Sequence, residues 1–200
     1  MTCYTLQSKD ERPLVTIHYE PRNTKSKHFF TTYLTKNLNQ IGDVEFIPFG
    51  RSTKKTDSEF QCVDNAECDV FKEHVSLILS FLVQKLTFYY VQACVMNSED
   101  YKAESKIKFL SCVFQKQFSE PNLENSCFDE VFTEPGNDWS QIHDCAHENG
   151  NALLEQHYAT VQNLDPSITH VPWILINGEH SLNAEVNLMD EVCNSYYTVS

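Results

Sequence analysis

Cysteine and histidine carry most of the chemistry open to this chain, which holds eight of each in 200 residues. The cysteines are Cys3, Cys62, Cys68, Cys94, Cys112, Cys127, Cys145 and Cys193. No two are spaced Cys-x-x-Cys, the spacing that sets a resolving thiol one helical turn from an attacking one, and no Cys/His group has zinc-finger spacing. An even, scattered set points to structural disulfides formed in an oxidising compartment. Eight half-cystines allow 105 connectivities, so the pairing stays open. Cys62 and Cys68, with five residues between them, are the closest pair. Their spacing suits a structural loop better than rapid exchange, yet they are the alternative place for thiol–disulfide chemistry. His143 and His147 stand four apart on a predicted helix that also carries His157, and two histidines so spaced share a face as metal ligands would. Solvated surface histidines are the plainer reading; neither metal nor cofactor is expected. His18, in a predicted buried strand, reads as a core histidine.

Composition narrows the field. A net charge of −13 with pI near 4.9 excludes a nucleic-acid binder, which needs a basic stripe. An apolar fraction of 41% with 12% aromatics gives a globular chain able to bury a core. Met1 to Thr5 has neither the basic nor the apolar region of a signal peptide, so a secreted chain would be present in its mature form. The longest apolar stretch, Val75 to Val83, is interrupted by Ser76 and Ser80 and falls short of the roughly 18 residues that cross a bilayer. It reads as the core of an inserted helical region; as a surface it would leave a dimer open.

The elements that must position these side chains follow from periodicity. Leu14 to Tyr19 is a near-continuous apolar strand ended by Pro21. Phe29, Phe30, Tyr33, Leu34, Leu38 and Ile41 recur at helical spacing up to Gly42, with Asn23 and Thr24 as candidate caps. Asp43 to Gly50 alternates as a second strand, completing a βαβ unit. Arg51 to Glu59 is a polar loop. Helices are predicted over Phe71 to Met96, Glu99 to Phe118 and Asp138 to Val161, with Pro121 to Pro135 a loop between the last two. Ile174 to Ile176 is a buried strand entered at Pro172, where a cis peptide is plausible, and left through the hairpin signal Asn177-Gly178. A last helix spans about Asn183 to Tyr196. The expected fold class is α/β: a thioredoxin-like fold, disulfide-stabilised, with a βαβ part at 1-62, a mostly helical insertion at 63-165 and a ββα part at 166-200.

One set of residues goes further. Trp139, Ile142, Cys145-Ala146, Gly150 to Leu154, Thr160, Leu164, Pro166 and Val171-Pro172-Trp173 through Gly178 resemble the gamma-interferon-inducible lysosomal thiol reductase (GILT) family. Val91 to Val95, Phe109 to Cys112 and Leu188 to Cys193 fit the same pattern. The resemblance implies a Cys-x-x-Cys at the start of the first helix, where the helix end favours a thiolate that attacks a disulfide. It places those cysteines at Asn23 and Ser26, so both sulfurs are absent there. Of the family's Cys-Gln-His-Gly and the Glu-Cys pair that follows it, the chain keeps Cys62, Glu67 and Cys68 but has Val63-Asp64-Asn65 between, one residue short. The expectation is therefore a divergent, secreted member (endolysosomal as the alternative) that is not an enzyme. It would bind an unidentified protein or cell-surface partner beside a vestigial cleft at Val171, Pro172 and Trp173. All eight cysteines are expected to be structural.

Overall fold

The computed structural model describes residues 12–21, 23–36, 43–51, 53–56, 59–61, 78–116 and 122–197. Strand β1 (Leu14–His18) is flanked on one side by β2 (Asp43–Ile47), parallel, with His18 opposite Ile47. A separate two-stranded ribbon follows, β3 (Thr53–Thr56) with β4 (Glu59–Gln61). On its other side β1 pairs antiparallel with β5 (Trp173–Ile176), which returns through Asn177-Gly178 as β6 (Glu179–His180). The sheet order is β2-β1-β5-β6. Asn177 and Gly178 both have positive φ, 51° and 85°, as the hairpin signal requires.

Strand alternation divides the sheet into two faces. Val15, Ile17, Tyr19, Phe46, Ile174 and Ile176 point to one; all but Ile176 are no more than 3% exposed. Against this face lie α1 (Thr24–His28), its π-helical continuation Phe29–Leu34, and α3 (Ala103–Gln115), with Phe30 stacked on Phe114. Thr16, His18, Ile47, Trp173 and Leu175 point to the other. There Ile47 and Phe49 meet α2 (Ile78–Asn97) through Ala93 and α6 (Gly150–Gln162) through Leu154 and Val161. The remaining helices are α4 (Leu123–Val131), α5 (Trp139–Glu148) and α7 (Ala184–Tyr197), the last kinked at Asn187.

The βαβ and ββα halves give the thioredoxin-like α/β arrangement expected, with α2 to α6 between them in the chain. Local readings needed correction. The first helix widens into a π-helix over Phe29–Leu34, which buries Phe29, Phe30 and Leu34 together. Its predicted end at Ile41 and Gly42, and the stretch from Phe71 to Ser76, lie outside the described residues. The predicted loop at Pro121 to Pro135 contains α4, whose Leu123, Cys127 and Phe128 are buried at helical spacing. Arg51 to Glu59, read as loop, holds β3 and the start of β4. The single helix read from Asp138 to Val161 is two, broken at Asn149-Gly150. A Cβ on Gly150 would lie 2.5 Å from Tyr90, so this close crossing of α2 requires glycine.

Disulfides Cys94–Cys145 and Cys112–Cys127 tie α2 to α5 and α3 to α4. Cys193 is also disulfide-bonded. Cys3, Cys62 and Cys68 lie outside the described residues.

Candidate functional site

The C-terminal end of β1 and the start of β5 meet in register, His18 opposite Trp173. The peptide Val171–Pro172 is cis, as expected, and Asp165–Pro166, which the sequence did not single out, is cis as well. Val171 and Trp173 are buried, at 1% and 3% exposure. Across the strand end the chain turns into α1. Asn23 N donates to Glu20 O at 3.0 Å, and Asn23 Oδ1 accepts from Lys25 N at 2.9 Å and Ser26 N at 3.0 Å. Asn23 is thus the N-cap, the role its amide oxygen suits. Ser26 is fully buried, and its Oγ accepts a long contact, 3.5 Å, from Glu20 N. Positions 23 and 26 therefore hold a capping amide and a buried hydroxyl, and neither is a thiol.

A third piece joins these two banks. Glu20 is 7% exposed; its Oε1 accepts from Arg51 N at 2.8 Å and its Oε2 lies 3.6 Å from Arg51 Nη2. A Cβ on Gly50 would stand 2.4 Å from Val171 Cγ1 and 3.0 Å from Glu20 Cγ. Gly50 is therefore the seat where the two banks touch. Sequence reasoning missed Glu20, Gly50 and Arg51, because a carboxylate and a guanidinium 31 residues apart give no local pattern.

The histidines divide by environment. His143 and His147 lie exposed on α5, and no group of three or more metal-ligating side chains occurs among the described residues. His157 belongs to the next helix, and its Nδ1 is buried without a hydrogen bond. His18 is fully buried and makes no well-formed hydrogen bond at either ring nitrogen, although the Phe49 backbone lies close enough to favour its charged form. Burial lowers the pKa of His18 to about 4, and His157 adds to that by repulsion; burial also lowers His157 to about 4. Next to the cis-proline corner, His170 and His180 both approach Glu185, a grouping absent from the sequence-based expectations.

This topology, with a cis-proline strand start facing the turn into the first helix, defines the thioredoxin-like class. The family follows from comparison. Residues 14–131 match the family described as gamma interferon inducible lysosomal thiol reductase (GILT), and the chain belongs to that family. It is 22% identical over 189 residues to a Carassius auratus gamma-interferon-inducible lysosomal thiol reductase, covering 92% of this chain and 66% of that protein. It is 28% identical over 167 residues to the Caenorhabditis elegans GILT-like protein ZK669.3, covering 80% and 67%. The chain thus spans about two thirds of the length of these relatives. A Pseudomonas syringae structure, assigned by inference as a protein-disulfide isomerase, aligns with TM-score 0.44 at 10% identity over 92% of this chain and 93% of its own. The family assignment corrects the expectation that the chain is not an enzyme. The family and the Carassius auratus relative are named for thiol reductases. Among the described residues no helix is long and apolar enough to cross a membrane.

Proposed function

We propose that the chain is a disulfide-handling protein of the secretory or endolysosomal route that engages polypeptide segments at the Val171-Pro172-Trp173 corner. The observation that carries this reading is the cis-proline bank seated on Gly50 and Glu20, facing the capped start of α1. The family's cysteine positions fall at Asn23 and Ser26, so exchange draws on another pair, Cys62 and Cys68 first. In that reaction one thiolate attacks a substrate disulfide and forms a mixed disulfide. The second thiol then displaces the substrate sulfur, two substrate thiols leave, and an external thiol reductant restores the pair. The disulfides among the helices keep the scaffold intact while this pair turns over.

The test is reduction of insulin by the native protein with a small thiol as reductant, beside Cys62→Ser and Cys68→Ser variants. Turnover that falls to background in either variant, with folding unchanged, supports the assignment. Turnover unaltered by both, or an inert native protein with an unreactive Cys62 and Cys68, overturns it. Binding is read separately, by titrating an unfolded, alkylated polypeptide onto the native protein and onto Pro172→Ala. Loss of affinity in the variant supports the corner as the contact.

A further inference from the structure

The three residues of the proposed contact, Val171, Pro172 and Trp173, are all buried. They offer an incoming polypeptide backbone groups and little side-chain surface, so apolar contact has to come from their neighbours. Among the described residues three large apolar side chains are exposed: Leu14, Leu182 at 63% and Val186 at 66%. Leu14 opens β1 at the far end of the sheet, where its N–H and carbonyl bond Asn177 of the hairpin turn. The other two stand together at the corner.

Three contacts put them there. Ser181 N donates to Ile174 O at 3.0 Å, which carries the β5–β6 pairing one step past Leu175 with His180. Leu182 follows as the chain leaves the sheet, at the Trp173 end of β5. Glu185 N then donates to Leu182 O at 3.3 Å, so Leu182 and Val186, four residues apart, share the opening turn of α7. Glu185 ties that turn to the corner: its Oε1 lies 2.6 Å from Nε2 of His170, the residue before Val171.

Helix α7 gives Ala184, Leu188 and Val192 to the core. Val186 lies on its outer side, where polar residues are expected and where Asn183, Asn187 and Asp190 are exposed. A lone exposed aliphatic group is ordinary, whereas two on one turn form a small patch. Two side chains fall far short of the roughly 800 Å² that each partner buries in a stable protein–protein interface, so the patch is too small to hold a folded second copy. It matches one large apolar side chain of an extended segment.

We infer that Leu182 and Val186 form a specificity subsite beside Pro172 that takes one large aliphatic or aromatic side chain of the polypeptide engaged at the corner. The inference rests on the proposed function and names its substrate class: disulfides flanked by an apolar residue. The His170–Glu185 pair positions the subsite by holding the first turn of α7 against the cis-proline bank.

The test titrates two short peptides onto the full chain, each with a central alkylated cysteine, flanked on both sides by leucine in one and by serine in the other. The leucine peptide is expected to bind about tenfold tighter, as withdrawing one leucine side chain from water would give. Leu182→Ser with Val186→Ser removes that preference and leaves the denaturation midpoint unchanged, whereas Leu182→Met with Val186→Ile keeps it. Equal affinities for the native protein, or a preference that survives in the double serine variant, overturns the inference. So does a native dimer in sedimentation that the double serine variant dissociates, which would give the patch to a second copy. The proposed function fails separately: a leucine preference kept at full affinity in Pro172→Ala counts against the corner as the contact and leaves the subsite standing. A native protein that binds neither peptide overturns both.

Discussion

The α1 bank and the cis-proline bank solve the problem of buried polar groups in opposite ways. At the α1 bank most polar groups close on their neighbours: Asn23 caps two amides, Ser26 faces the Glu20 backbone, and Glu20 takes Arg51, although Arg51 Nε is buried with no hydrogen bond. At the cis-proline bank His18, Trp173 and His180 keep buried nitrogens without good hydrogen bonds. A satisfied network costs little to keep and fixes one geometry, whereas unsatisfied groups cost free energy and respond to a proton or a ligand. The first bank therefore holds one geometry through its hydrogen bonds, and the second carries more of the unsatisfied groups.

The largest expected effect tests the helical support beneath both banks. Removing the Cys94–Cys145 link, as Cys94→Ala with Cys145→Ala, opens a closed loop with a sequence separation of 51. On the chain-entropy model this costs about 4 kcal/mol, read as a lower midpoint in chemical denaturation. A midpoint equal to that of the parent would mean that packing alone holds α2 to α5.

Acid comes next, and it acts on the imidazole side. His18 and His157 are held near pKa 4 when folded and titrate near 6.5 when unfolded, so the unfolded chain binds more protons between those values. Stability is complete above about pH 6.5 and falls as the pH drops toward 4. The loss is about 3 kcal/mol for one imidazole if its shift is fully expressed. Denaturation midpoints at pH 7 and pH 4.5 measure it, and His157→Gln should flatten the slope. A slope unchanged in that variant would remove His157 from the account.

Gly50→Ala drives the banks apart at their seat. A methyl 2.4 Å from Val171 Cγ1 forces that side chain or the strand to move, a cost of about 1–3 kcal/mol. Polypeptide affinity should fall with it, whereas a variant as stable and as tight-binding as the parent would mean that the banks move independently. The smallest effect belongs to the satisfied bank: Asn23→Ala deletes the cap of α1 and costs about 1 kcal/mol, with Asn23→Asp nearly neutral. Equal losses in both would show that the amide does more than cap.

Much of the scaffold was legible in the chain. Apolar strands at Leu14 to Tyr19 and Ile174 to Ile176, the Asn177-Gly178 turn and the entry at Pro172 are local signals, and each occupies the expected place. Helix α4 was not legible, because the prolines around it read as loop. What makes it a helix is tertiary, the Cys112–Cys127 bond and the contact of Phe128 with Tyr101, Phe132 and Trp139. The break at Gly150 belongs with it, set by the crossing of α2.

By itself the sequence determined the α/β class, the family pattern and the absence of sulfur at residues 23 and 26, because residue identity and short-range periodicity are written in the chain. Only the tertiary structure decided which groups meet. Glu20 with Arg51, Gly50 against Val171, and His170 and His180 about one carboxylate join positions 5 to 121 residues apart. Such meetings depend on strand register and helix crossing, which no local stretch encodes.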